Sequence, residues 1–206
     1  MFGRRFTVRP RDGQAQGVEK RLKAYAAVGN ANGFNARVSK IIDGPTVGCM
    51  ALTMMTATMA AGMKARASLT ADPKWSALEK ERAESPNADR VGGSTIVRFM
   101  SGAPDPANYP VSLIRIYLMS RANLPELLKI GEEARKIATS MDMNLALGTP
   151  IVGDSMNRFI VNYQARSLEH LGENFDKVVV LPEYQEILIR VAGLATISTA
   201  VIDVTV

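Results

Sequence analysis

The chain has 206 residues with one cysteine, one histidine and one tryptophan, and is 47% hydrophobic and 22% charged, the balance of a globular protein long enough to bury a core without cross-links. Cys49 stands alone, so an internal disulfide is excluded, which fits a reducing, cytoplasmic setting; a His-rich metal site is excluded by count, and no Cys/His cluster has zinc spacing. The net charge of +5 is uneven, with sixteen Lys/Arg against nine Asp/Glu in residues 1–106 and nine against eleven in residues 107–206. The basic residues are scattered and aromatics are few, so a solvated basic surface is expected rather than a nucleic-acid face.

In chain order, "GRRFTVRPR" opens the sequence with a pair of arginines. No apolar stretch or small-residue cleavage site follows, so a twin-arginine export signal is not expected. The uncharged run at 44–63, "GPTVGCMALTMMTATMAAGM", has the length of a membrane span but begins Gly-Pro and carries several threonines. It reads as a buried strand running into a packed helix, and no membrane partner is expected. Next come "ADPKWSALEKER" at 71–82 and a β-type run from Ser94 to Met100. "SGAPDPANYP" at 101–110, with three prolines, is a connector.

Beyond the connector the periodicity is clean. "VSLIRIYLM" (111–119) is rich in β-branched and aromatic residues and predicts a strand. Leu113, Arg115, Tyr117 and Met119 share one face, and Ile114, Ile116 and Leu118 the other. Residues 122–144 predict a helix, with Asn123 as N-cap, Pro125 in the first turn, and Leu127, Ile130, Ala134 and Ile137 at helical spacing. "LALGTPIVG" is a short strand whose proline marks an edge or a bulge, and the polar turn "DSMN" follows. "RFIVNYQA" (158–165) is a strong strand, a helical stretch broken at Pro182 comes next, and "ATISTAVIDVTV" closes the chain as a strand. The order is β-α-β-β-α-β, the ferredoxin-like split unit.

The first half repeats this plan. At a shift of 109 residues, the separation of Asn35 from Asn144, Gly44 meets Gly153, Pro73 meets Pro182, Trp75 meets Tyr184 and Leu78 meets Ile187. At the N-terminus a shift of 111 sets Arg4 on Arg115 and Phe6 on Tyr117. The expected organisation is α+β, with repeats at 1–101 and 111–206 and a Pro-rich linker at 102–110. "DPKW" and "LPEY" read as one corner in two copies, where an aromatic packs a short helix on its sheet.

A β-α-β-β-α-β unit with R-x-aromatic on its first strand and a P-x-aromatic corner late in the unit resembles the dimeric α/β-barrel superfamily. It is most similar to the NIPSNAP-like and EthD-like branch, in which the first strand often reads like "IRIYLM". The resemblance spans both halves. It implies that the two units close one barrel within the chain as a pseudo-dimer, with a pocket between the sheet and the helices of one or both halves. Phe6 departs from the tyrosine expected in the first copy, which sets the two halves apart in activity. Superfamily members include cofactor-independent monooxygenases, cyclases, lactone isomerases, haem enzymes and proteins without known activity, so the fold does not assign the function.

Four residues are candidates for chemistry. Arg115 could pair with a carboxylate or enolate oxygen, or with a helix carboxylate such as Glu133; Tyr117 could donate a proton, or pack. Asn162 could hold an oxyanion, or make a structural hydrogen bond. His170, the sole imidazole, could be a general base or a haem ligand, or a solvent-facing helix residue. Alternation does not say whether Arg115 and Tyr117 face the helices or the barrel. The methionines at 50, 54, 55, 59 and 63 are core filler or the lining of a pocket for a flat apolar ligand. Nucleotide-binding and nucleophile-elbow motifs are missing.

The leading expectation is a barrel that binds a small apolar or aromatic molecule and oxidises or isomerises it without metal or nucleotide. The alternatives are a non-catalytic assembly or ligand-binding module, and a haem-binding barrel with His170 as axial ligand. Homo-oligomerisation is left open.

Overall fold

The computed structural model describes residues 1–153 and 156–206. The first half runs β1 (Phe2–Pro10), α1 (Ala15–Ala31), β2 (Asn35–Asp43), β3 (Met50–Thr56), α2 (Met59–Ala71), α3 (Pro73–Glu84) and β4 (Ala88–Ser101). The second runs β5 (Val111–Met119), α4 (Leu124–Ser140), β6 (Asn144–Val152), β7 (Arg158–Ala165), α5 (Leu168–Val178), α6 (Pro182–Ala192) and β8 (Ala195–Thr205). The predicted turn at 154–157 lies partly outside the described residues.

The eight strands form one closed barrel in the order β1-β3-β2-β8-β5-β7-β6-β4. Each half contributes a four-stranded ferredoxin-like sheet, and the halves join along β2–β8 and β4–β6. The barrel therefore closes within one chain, which removes the exposed sheet edges without a second copy. Pro150 sits where β6 meets β4, at a register shift between Ile96 and Val97, the irregular seam that a strand proline requires. The uncharged 44–63 run is β3 leading into α2, and among the described residues no helix is long and apolar enough to cross a membrane.

The repeats share their local devices. Thr58 caps α2 by accepting from Ala61 N, and Ser167, 109 residues on, caps α5 by accepting from His170 N. Pro73 and Pro182 each open the helix that follows the corner. Gly44 and Gly153, after β2 and β6, both take positive φ (97° and 143°), where a side chain would be strained. Asn123 departs from expectation: it makes no side-chain cap, and its amide donates instead to Leu194 O at 2.8 Å, tying the start of α4 to the residue that precedes β8.

The sheet register also corrects the alignment at the N-terminus. Phe2 pairs with Thr56 and Leu113 with Tyr163, whereas the β2–β3 and β6–β7 ladders are related by 109 throughout. Keeping β3 on β7 therefore sets β1 on β5 at 109 as well. Phe6, not Arg4, stands in the place of Arg115, and Val8 in that of Tyr117. The R-x-aromatic match had drawn the alignment two residues along the strand, a step that keeps every side chain on its face and so leaves the pattern unchanged.

Two apolar cores lie between the sheets and their helices. Val18, Leu22, Tyr25, Val38, Leu52 and Met54 centre the first; Tyr117, Leu127, Ile130, Leu145, Phe159 and Tyr163 centre the second. By strand alternation the other faces point into the barrel, which is unexpectedly polar. Asp203, 1% exposed, accepts from Arg5 at 2.6 Å and from Ser39 at 3.2 Å. Ser112, Asn162 and Gln164 are buried on the same side.

Candidate functional site

The face left open by alternation is settled by contacts. Arg115 points to the helices, where its guanidinium donates to the Tyr184 hydroxyl at 3.0 Å and lies 5.5 and 5.3 Å from the ring centres of Tyr163 and Phe175. Tyr117 is buried in the same core. Tyr163 and Phe175 meet edge to face at 5.7 Å. Burial pushes the Tyr117 and Tyr163 hydroxyls up, the latter further through neighbouring Tyr184, so both stay neutral and protonated near pH 7. The cluster is a packed, mutually satisfied set of rings around one arginine.

The other two expected residues stand elsewhere. Asn162 is 4% exposed on β7 and faces the barrel, opposite to Arg115, with its Oδ1 unpartnered among the described residues. His170 is half-exposed in the first turn of α5, and its Nδ1 accepts weakly from Arg166 N at 3.3 Å. The expected quartet is thus spread over three environments.

Open space lies in the first repeat, beneath α2 and α3. One cavity of about 250 Å³ is walled by Phe2, Phe6, Phe34, Trp75 and the methionines 54, 59 and 63, with Arg4 and Arg66. A second, of about 340 Å³, lies toward α1 and is walled by Val18, Leu22, Tyr25, Leu52, Glu79, Arg82 and Arg90 among others. Phe6, Arg66 and Trp75 border both. Each is near the lower limit of the roughly 300–1,000 Å³ usual for small-molecule pockets.

The second repeat shows why the first is open. At the shift of 109, Tyr163 replaces Met54, Phe175 replaces Arg66, Tyr184 replaces Trp75, and Leu171 replaces Gly62. Leu171 is 5% exposed and fills its core. A Cβ at Gly62 would come within 2.9 Å of Thr56 Oγ1, and the second repeat has Ala165 at that partner position, so the bulk is accommodated there. Gly131 lets α4 approach β6 so closely that a Cβ would meet the Leu147 side chain; α1 has Leu22 at that place.

Electrostatics separate the cavities. In the second, the Tyr25 hydroxyl donates to Glu79 at 2.7 Å and Arg82 pairs with the same carboxylate at 2.8 Å. Burial, with the adjacent carboxylate, raises the Tyr25 hydroxyl. Burial would also raise Glu79, but the hydrogen bonds from Tyr25 and Arg82 outweigh it and hold the carboxyl below its ordinary value. Arg21 is tied to Glu81, Asn87 and Ser85. Arg4 and Arg90 lie 5.7 and 5.5 Å from the centre of the Phe6 ring. They and Arg66 have no carboxylate partner among the described residues.

The four candidate polar residues all lie in the second repeat, while the pocket was expected in one or both halves, with the methionines at 50, 54, 55, 59 and 63 as one possible lining; three of these, Met54, Met59 and Met63, line the first cavity. The cavity falls at equivalent positions of the first repeat. The pairs Gly62/Leu171 and Met54/Tyr163 were readable in the same 109-residue alignment as small or flexible residues set against large ones.

The residue expected as an axial haem ligand does not stand at the open space. His170 borders neither cavity, and neither cavity is lined by a histidine or cysteine.

Neither a family model nor a curated protein matches the sequence. Among solved structures, a candidate monooxygenase of Fusobacterium nucleatum superposes with a TM-score of 0.69 at 7% identity, over 98% of this chain and 91% of that one. A candidate monooxygenase of Lactobacillus acidophilus does so at 0.60 and 13% identity, over 100% and 92%. A haem-binding protein of Thermus thermophilus does so at 0.55 and 9% identity, over 100% and 90%. The likeness is one of fold.

Proposed function

We propose, taking as premise the dimeric α/β-barrel fold with both halves in one chain, that the protein binds a small, flat, apolar molecule between the sheet and the helices of its first repeat. The second repeat closes the barrel as a structural half. One observation carries this reading: at equivalent positions the second repeat is packed shut around Arg115, while the first is open and walled by Phe2, Phe6, Phe34, Trp75 and three methionines. Aromatic faces and adaptable thioethers suit a ring system of varied outline.

Binding is better supported than turnover. A cofactor-independent oxidation or isomerisation calls for a base or acid that titrates near neutrality. The titratable pair that lines the second cavity is tuned away from it, with Glu79 held low and Tyr25 pushed up. The names of two structural neighbours keep a monooxygenase activity as the catalytic alternative. In that alternative Arg4 and Arg66 would stabilise an enolate or phenolate, and Arg115, Tyr117, Asn162 and His170 would stay outside the chemistry.

Native mass spectrometry of untagged protein, as purified and after incubation with two-ring quinones, phenols and amides, tests the reading. One adduct per chain is expected. A chain that stays bare across the panel contradicts it. Product analysis in air of any ligand that binds decides between capture and oxidation.

A further inference from the structure

The first cavity is lined by two arginines and, among the described residues, by no aspartate or glutamate. Arg4 is half-buried on β1, Arg66 stands on α2 across the opening, and neither has a carboxylate partner among the described residues. Arg90, which lines the second cavity, adds a third cation 5.5 Å from the centre of the Phe6 ring. Seven other arginines pair with carboxylates: Arg5 with Asp203, Arg11 with Asp89, Arg21 with Glu81, Arg82 with Glu79, Arg135 with Glu132, Arg166 with Asp142 and Arg190 with Glu133. What marks Arg4 and Arg66 is their place: both line one aromatic-walled cavity that no acidic residue among the described ones borders. Like charges brought together repel, and a bound anion relieves them.

We infer that the ligand of the first repeat is an acid: a small aromatic carboxylate whose ring lies against Phe6, Trp75 and the methionines, and whose carboxylate is met by Arg4 and Arg66. A guanidinium matches a carboxylate with two parallel hydrogen bonds, and a partly water-excluded cavity strengthens them. The apolar walls argue against inorganic anions, which would lose their hydration with nothing to replace it on the ring side. The transposition between repeats agrees. In the second, the helix position of Arg66 is Phe175 and the strand position of Phe6 is Arg115, so that arginine spends its charge on Tyr184 and two rings. In the first, the helix arginine lines the cavity with no carboxylate partner among the described residues.

The inference rests on the pocket reading, and matched pairs of ligands separate the two. Benzoate, cinnamate and 2-naphthoate are titrated calorimetrically against benzamide, cinnamamide and 2-naphthamide. At least one acid is expected to bind about tenfold or more tightly than its amide, the scale of one charge-assisted hydrogen bond. The advantage is expected to fall as salt is raised, to vanish in Arg66→Gln, and to persist in Lys64→Gln, an exposed neighbour on the same helix that lines neither cavity. Equal binding of acids and amides, with a stoichiometry of one, overturns the anionic ligand and leaves the pocket standing. Binding of neither class overturns both. An acid preference unchanged in Arg66→Gln and in Arg4→Gln overturns the assignment to this cavity.

Discussion

The guanidinium of Arg115 lies 5.3 Å from the centre of the Phe175 ring, and the first repeat holds the same pair transposed, with Phe6 on the strand and Arg66 on the helix. In the second repeat the strand arginine reaches Tyr184 and the space is full. In the first the arginine sits on the exposed helix, the strand aromatic lines a wall, and space remains. One architecture thus gives a packed half and an open half through a few exchanges of side chain.

The Arg115–Tyr184 contact should matter to stability and not to the ligand. Tyr184 is 2% exposed, and in Tyr184→Phe the ring is kept while a hydrogen bond to a cation is lost. A loss of about 1.5–3 kcal/mol is expected in urea unfolding, with unchanged binding in the first repeat. Arg4→Gln should do the reverse, changing stability by less than about 0.5 kcal/mol and weakening an acidic ligand.

The barrel interior makes a prediction of opposite signs for two charges. Asp203 is the carboxylate that faces Arg5 and, by Coulombic reach, Arg37. Asp203→Asn leaves both cations uncompensated, and a cost of about 3–5 kcal/mol is expected. Burial pulls the Arg37 guanidinium down to about 10, and its Nε and Nη1 are buried without partners among the described residues. Arg37→Met should therefore be neutral or stabilising. Thermal unfolding of the two variants beside the parent checks both signs.

Glu79 sets an acid limit. Its folded-state value lies below its ordinary one because Tyr25 and Arg82 hydrogen-bond the charged form. Such a group binds protons more readily when unfolded, so its contribution is complete above its ordinary range and is lost as pH falls through the lowered value. Glu79→Gln should thus unfold more easily than the parent at pH 7. The difference should shrink steadily below about pH 4.5, the ordinary carboxyl value. A gap that widens on acidification would contradict the assignment.

The element order, the corner prolines and the duplication were legible because they rest on local chemistry: β-branched runs, caps, turn glycines and prolines. The face assignment of β5 was not. Both of its faces are apolar in composition, and only tertiary contact shows that Arg115 and Tyr117 meet helices while Ile114 and Ile116 meet the barrel. The two-residue slip at the N-terminus had the same origin, since a shift by two preserves the strand pattern and a motif match can drive it. The polar barrel interior was hidden too, because Asp203, Arg5 and Ser39 are far apart in sequence and become partners only on closure. The candidate cavity was half legible: methionines 54, 59 and 63 were readable as pocket lining or core filler, and the choice depended on volume, which Gly62 and Met54 signal only beside Leu171 and Tyr163.

The most direct measurement uses the chain's one tryptophan. Trp75 borders both cavities, so its fluorescence reports on this site alone. The parent and the double variant Thr56→Ala, Gly62→Leu, which copies Ala165 and Leu171 of the second repeat, would each be titrated with 2-naphthamide and 2-naphthoate. The account predicts a saturable change in the parent and none in the double variant, with the two proteins unfolding at similar urea concentrations. An equal saturable change in both would mean that the cavity of the first repeat is not where the ligand goes.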